Sequence, residues 1–461
     1  MKKPMNSQKK MYIVAGAALI IGCLLGNWWT TEKYSIMQVK GFQELQVAYQ
    51  RIMNNYLNGA DEAELLNGAI TGMVDSLGDK YSQFLPLEKG EQFVDSYSSN
   101  FFGIGAEIKQ TNEQFIINSL VKDMPAEKQG LKPNDRIVKV DQEDVTGLTL
   151  TELVTKVKGE KGTTVTITVL RGTEELTYNI QRAEIPVYTV KHELLEDSLG
   201  YIAISRFAEN TDKEFMAAFD DLNKQAMTGL IIDLRSNPGG LVEQTKEIAN
   251  ILVPKGELIY EVVYKDESKR ESYVSEQQKP VNIPIVVLVN EYSASASELL
   301  AAALKESAGA MVVGQKTYGK GVVQAFNQFR SGSVLSLTEA QWRTPHGEWI
   351  NEQGVQPTHE VALPDYASLS PMPANTTLQR DDAGEKVELL QKLLAALDYN
   401  VEISGLYDEA TANAIKQVQQ KNELDANSIY TDQVGQAIVV MLQEKLLQED
   451  TQLDAAISLL N

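Results

Sequence analysis

The chain has 461 residues, 43% of them apolar, and a formal net charge of −21 at pH 7. That length divides into about three domains with enough apolar residues to fill their cores. The acidic balance leaves no basic face for a nucleic acid, the single cysteine excludes an intrachain disulfide framework, and three histidines without cysteine neighbours give no zinc-type spacing, so neither metal nor cofactor is expected.

Residues 1–10 carry Lys2, Lys3, Lys9 and Lys10, and residues 11–29 then run from Met11 to Trp29 without a charge. About nineteen residues at about 1.5 Å each span about 28 Å, close to the hydrocarbon thickness, so a lipid-embedded transmembrane anchor is predicted. The lysines stay in the cytoplasm and place everything after the anchor on the extracytoplasmic side of the cell membrane, as a single-pass protein. Trp28 and Trp29 stand where a signal-peptide cleavage site would need small residues, which favours an uncleaved anchor. Ile20, Ile21, Gly22 and Cys23 resemble a lipid-attachment box, but the apolar run continues past Cys23, and a lipid-facing cysteine is the plainer reading.

Residues 30–87 place Phe42, Leu45, Tyr49, Ile52, Leu65, Ile70, Met73 and Val74 at helical spacing, and two or three amphipathic helices are expected before Gly78 and Asp79 break the pattern. These helices could serve a homodimer or simply pack. Residues 88–185 change texture to short strands, at Phe115 to Leu120, Arg136 to Val140 and the alternating Val165, Ile167 and Val169. Gly103, Ile104 and Gly105 after Phe101-Phe102, then Met124-Pro125-Ala126 and Gly130 to Ile137, resemble a PDZ domain, with Asn134 where that family commonly has glycine. The resemblance implies that the Gly103–Gly105 loop offers backbone N–H groups to a peptide's terminal carboxylate while the next strand pairs with the peptide. Without it, the two glycines would read as a bend or bulge.

Residues 186–365 alternate strands and helices, with Leu230 to Leu234 and Ile285 to Val289 as runs buried on both faces and a helix predicted from Val242 to Leu252. Three segments here carry chemistry. Asn290 to Glu298, with its alternating Ser293, Ser295 and Ser297, ends a buried strand and starts a helix, a turn that exposes a side chain to the helix N-terminus. Ser295 and Glu298 equally have the spacing of a capping box. Gly319-Lys320-Gly321 sets a lysine between glycines that let backbone crowd around it, with Gln324 an even offset further on and so on the same side of a strand. A lysine base must be neutral, and at a pKa of about 10.4 only about one in 2,500 is so at pH 7, so burial would have to lower it. The plain reading is a surface lysine in a glycine turn. Asp233 to Gly240, with Pro238-Gly239-Gly240, exposes backbone N–H groups that suit an oxyanion hole, or makes an ordinary tight turn.

Together these segments resemble the carboxyl-terminal processing (tail-specific) serine proteases, over nearly the whole chain after the anchor. The resemblance implies an α/β core, crotonase-like in its layered sheet and helices, interrupted in sequence by the PDZ domain. It maps the nucleophile to Ser295, the general base to Lys320, its support to Gln324, and the oxyanion donors to Ala296 and to Gly239 or Gly240. Tyr292 departs from the small residue often found there and narrows the entry. The histidine-based triad is the commoner arrangement, but His346 and His359 lie in turns beside prolines. The implied function is a serine endopeptidase that captures protein or peptide substrates by their C-termini and cuts near that end. Its rivals are a catalytically idle PDZ scaffold and an α/β enzyme acting on acyl thioesters.

Residues 366–377, rich in Ser and Pro, read as a linker. In residues 378–447, Asp382 to Val387, the leucines through Leu397 and Gly405-Leu406-Tyr407 are similar to the three-helix peptidoglycan-binding repeat, and a helical packing unit is the alternative. Acidic residues outnumber basic ones here, so wall contact would be to glycan or peptide. Residues 448–461 read as a C-terminal tail.

Overall fold

The computed structural model describes residues 40–98, 100–111 and 114–461, so the predicted anchor at 11–29 lies outside the described residues. Among the described residues no helix is long and apolar enough to cross a membrane. Two compact units result, one of them the N-terminal segment through Gly90 with residues 326–337, the other the rest of the chain.

In the first unit, helices α1 (Lys40–Asn55) and α2 (Glu62–Asp75) follow the predicted periodicity. Asp61 starts α2 by accepting the Glu64 N–H at 2.9 Å, and Gly78 at φ 66° lies just past its end. Strand β1 (Gln83–Leu85) pairs antiparallel with Val334–Ser336. Residues 88–97 were expected to open the β module. They are instead most of helix α3 (Leu87–Tyr97), in which Phe93 and Tyr97 meet edge to face one helical turn apart.

In the second unit, β2 (Asn100–Gly103) pairs with β9 (Ala183–Pro186), and between them lie β3 (Ala106–Thr111), β4 (Gln114–Leu120), helix α4 (Pro125–Lys128), β5 (Arg136–Val140), β6 (Glu143–Asp144), helix α5 (Leu150–Val157), β7 (Thr164–Arg171) and β8 (Glu174–Gln181). The main sheet runs β3-β4-β5-β7-β8. Val165, Ile167 and Val169 alternate inward with Phe115, Ile117 and Leu153 to make its core. Asn134 takes φ 69°, a left-handed turn that asparagine tolerates in place of glycine. Next to it, Asp135 is buried and held by a bidentate pair of 2.7 Å bonds from Arg171.

The α/β core has one six-stranded sheet in the order β10 (Val190–Leu194), β11 (Leu199–Ile204), β12 (Gly229–Asp233), β15 (Ile285–Val289), β16 (Met311–Gly314) and β19 (His359–Glu360), parallel from β11 onward. Helices α6 (Thr211–Lys224), α7 (Val242–Leu252, as predicted) and α8 (Ala296–Ser307) cover the face that carries Leu230, Ile232, Val287 and Val312. A second, antiparallel layer is formed by β13 (Leu258–Tyr264), β14 (Arg270–Val274), β17 (Val322–Gln328) and β18 (Val334–Arg343). The other face of the central sheet carries Ile231, Val286, Leu288 and Val313, and each such side chain left in water would forgo about 1.5–3 kcal/mol. Its cover comes from the end of the chain. Residues 448–461 were read as a tail, but Thr451–Leu460 form a helix whose Ala456, Leu453, Ile457 and Leu460 pack on these four side chains.

Before that helix the tail domain folds as α9 (Glu385–Ala396), α10 (Glu409–Lys421) and α11 (Asp432–Gln448), which makes the terminal helix α12. The buried Gln391 amide holds the expected Gly405-Leu406 turn, accepting from Ser404 and Gly405 N–H and donating to the Leu406 carbonyl.

Candidate active site

The three serines of the Ser/Ala run fall in different surroundings. Ser293 is fully buried, its hydroxyl donating to the Leu234 carbonyl at 2.8 Å and accepting from the Asn290 N–H at 2.9 Å. Ser297, also fully buried, donates to the Asn237 carbonyl at 2.9 Å. These two fasten the run to the turn after β12. Ser295 is half-buried and takes φ 56°, ψ −113°, a conformation that L-residues avoid and that surrounding bonds must impose. It is the N-cap of α8, so the helix-cap position and the strained elbow are the same residue.

Those bonds centre on Glu298, which has no exposure. Its Oε2 accepts the Ser295 N–H at 2.7 Å and the Lys320 N–H at 2.8 Å; its Oε1 accepts the Gly319 N–H at 2.6 Å and the Thr317 hydroxyl at 2.5 Å. One carboxylate oxygen therefore joins the backbone of the serine elbow to that of the lysine loop. The Tyr318 N–H adds a second tie, to the Ser293 carbonyl at 3.0 Å. Burial pushes the Glu298 carboxyl above the ordinary carboxylate range, against the pull of its hydrogen bonds. In the sequence Glu298 has the spacing of a capping box and ends the Ser/Ala motif; its role as a hub for four donors exists only because the fold brings the Thr317–Lys320 loop to it.

Lys320 is half-buried and precedes the strand it was expected to open, since β17 begins at Val322. Its carbonyl accepts the Trp342 indole N–H at 3.1 Å, and that of Gly321 accepts the Trp349 indole at 2.8 Å. A Cβ on Gly321 would lie 2.7 Å from the Asn351 nitrogen, and one on Gly319, at φ 92°, 3.0 Å from that of Gly354. The glycines on either side of the lysine thus permit the close backbone approach read from the sequence. Gln324 lies on β17 and donates to the Thr338 hydroxyl at 3.3 Å.

The Asp233–Gly240 turn closes the third side. Buried Asn237 donates to the Ile204 carbonyl at 2.8 Å, and its own carbonyl accepts the Ala294 N–H at 3.0 Å. Its Oδ1 takes the Gly239 N–H at 2.9 Å, so that donor is engaged inside the turn. Gly239, at φ 100°, packs so tightly that a Cβ would lie 2.9 Å from Ser295 Cβ; on Gly240, at φ 144°, it would lie 2.1 Å from the Phe207 oxygen. Among the described residues none accepts the N–H of Gly240 or of Ala296, the first residue of α8. Tyr292 is exposed beside the run. The histidines are occupied elsewhere: His192 with Asp221, His346 with Glu306 and His359 with Thr358.

In the β module, Ile104 is a core side chain whose carbonyl accepts the Ala126 N–H at 2.8 Å, and Gly105 takes φ 79°, where a Cβ would lie 2.4 Å from Met124 Cβ. The Gly103–Gly105 loop therefore has only backbone to offer a ligand. It leads into β3, the end strand of its sheet, which is the arrangement that strand addition requires.

Four family descriptions match the chain: peptidase family S41 over 198–361, PDZ domain over 103–181, activating protease CtpB N-terminal domain over 28–88, and putative peptidoglycan binding domain over 383–438. The carboxy-terminal processing protease CtpA of Bacillus subtilis is 38% identical over 99% of this chain and 99% of its own. The carboxy-terminal processing protease CtpB of the same organism is 36% identical over 91% of this chain and 88% of its own. Among solved structures, a photosystem II D1 C-terminal processing protease aligns with a TM-score of 0.42 and 27% identity over 74% of this chain and 93% of its own. Full-length identity to CtpA at this level, together with the S41 match across the strands and loops that carry Ser295 and Lys320, establishes that the chain belongs to peptidase family S41 and is a carboxy-terminal processing peptidase.

Proposed function

We propose that the chain is a serine endopeptidase with a Ser295–Lys320 dyad that cleaves protein substrates near their C-terminal end, outside the cytoplasmic membrane. The observation that carries this reading is the shared Glu298 oxygen, which accepts the N–H of the strained Ser295 elbow at 2.7 Å and that of Lys320 at 2.8 Å and so ties the two segments together. Lys320, neutral before the reaction, takes the hydroxyl proton as Ser295 Oγ bonds to the scissile carbonyl carbon. The Ala296 and Gly240 N–H groups donate to the resulting oxyanion. Collapse breaks the C–N bond, Lys320 returns the proton to the departing amine, and water then hydrolyses the acyl-enzyme. Gln324 orients the lysine. Substrate arrives by its C-terminus on the Gly103–Gly105 loop and the β3 edge.

In an assay on an unstructured protein with a free apolar C-terminus, the unmutated chain should cut, and Ser295→Ala or Lys320→Ala should lower turnover at least about a thousandfold. Cleavage that survives both substitutions removes the dyad. An unmutated chain inert to several such substrates across pH favours the idle scaffold.

Residues 11–29 are proposed to anchor the protein, with the described part extracytoplasmic, on the support of the four flanking lysines and the uncharged run between them and Thr30. The tail domain is proposed to hold it to peptidoglycan.

A further inference from the structure

Arg235 stands between Asp233, the last residue of β12, and the Ser236–Gly240 turn. One edge of its guanidinium meets Asp233, Nε to Oδ1 at 3.0 Å and Nη2 to Oδ2 at 2.7 Å. The opposite edge meets Asp450, Nη1 to Oδ1 and Nη2 to Oδ2, both at 2.7 Å. All three side chains are 15% exposed or less, where paired charges are only weakly screened by solvent. The second carboxylate is not left uncompensated: Asp450 caps α12 by accepting the Leu453 N–H at 3.0 Å, and the Tyr201 hydroxyl donates to Asp233 at 2.7 Å.

This clamp is more than α12 needs in order to dock. The helix is seated by its apolar face and by Thr451 and Gln452, which donate to the carbonyls of Ala362 and Val361 at 2.7 and 2.9 Å. What the clamp adds is a fixed position for Arg235, the residue next to Ser236, whose left-handed φ of 56° begins the turn that ends at Gly240. Downstream the turn is held by Asn237 and by Asn290, whose Oδ1 accepts the Ser236 N–H at 2.8 Å. Upstream it is held by Ser293, whose hydroxyl donates to the Leu234 carbonyl at 2.8 Å, and by Arg235, whose N–H donates to Asp233 Oδ1 at 2.9 Å and whose side chain the clamp fixes.

We propose that Asp450, on the C-terminal helix, is a positioning residue for the peptidase reaction: through Arg235 it fixes the Ser236–Gly240 turn and so the Gly240 N–H against the oxyanion. The cap of α12 is then coupled to the oxyanion turn, while the rest of the helix only docks. The inference rests on the dyad and oxyanion reading above. A donor displaced by a fraction of an ångström acts on the transition state and not on substrate capture, so its loss should appear in kcat and spare KM.

The test uses the full chain and the same unstructured substrate, with Asp450→Asn, Asp450→Glu, Thr451→Val and Ser295→Ala compared by kcat, KM and melting temperature. Asp450→Asn should lower kcat about tenfold to a hundredfold with KM within about twofold, and Asp450→Glu, which restores the carboxylate, should recover most of the loss. Thr451→Val removes a docking bond but leaves the clamp, so it should lower the melting temperature with kcat within about twofold. The proposal is overturned if Asp450→Asn keeps kcat within twofold, if Asp450→Glu is no better than Asp450→Asn, or if Thr451→Val loses as much kcat as Asp450→Asn. Cleavage that persists in Ser295→Ala sinks the underlying dyad reading; cleavage that needs Ser295 but ignores Asp450 sinks this inference alone.

Discussion

Glu298 takes four hydrogen bonds at a position without solvent, and the two effects oppose each other. Burial wins, so its folded pKa lies above the unfolded carboxylate value of about 4.3. A carboxyl raised in this way contributes stability that is complete below the unfolded pKa and is lost as pH rises through the folded one. The melting temperature of the unmutated chain minus that of Glu298→Gln should therefore shrink as pH is raised from about 4 through the folded pKa. A difference that widens with pH over that range would mean that the hydrogen bonds outweigh burial. At this scale the sequence was most informative about Ser295, because its spacing to Lys320 matched a known pattern. It was least informative about Asn237 and Asn290, whose amides tie neighbouring loops at sequence distances that no local pattern records.

Two parallel strands, β12 and β15, end side by side and each delivers a loop to the site, the Ser236–Gly240 turn from one and the serine elbow from the other. The two loops touch through Gly239, where a methyl group would have to share space with Ser295 Cβ and the Ala294 carbonyl. Gly239→Ala should lower kcat about a hundredfold, with melting temperature reduced by only a few degrees, as checked by turnover and thermal unfolding on one preparation. Turnover within about twofold would show that the turn can move aside without consequence. The strands themselves were legible in the sequence as continuous apolar runs, because a strand buried on both faces has no polar alternation to confuse it. Helix α3 was misread because its apolar residues are few and stand beside a genuine run of strands.

For the molecule as a whole, the proposed anchor at residues 11–29 is the reading that a membrane experiment decides. Membranes from cells that express the full chain should retain it through alkaline carbonate washing and release it in detergent, and a variant with Leu19, Ile20, Ile21 and Leu24 changed to Asp should wash free. Release of the unmutated chain by carbonate alone would remove the anchor. The α/β class of the core was legible in the sequence itself, since it rests on periodicity and on runs of residues close together in the chain, while the module identities and the dyad candidates came from the family resemblance that those local segments carry. Tertiary structure decided what depends on contact across sequence distance. It brought the Thr317–Lys320 loop to Glu298, engaged Gly239 and left Gly240, and made of the expected C-terminal tail the helix that seals the core sheet. The reason is physical: a helix or buried strand advertises itself through its own repeat, whereas a hydrogen bond between Arg235 and Asp450 has no local signature and exists only once the sheet has placed its two ends together.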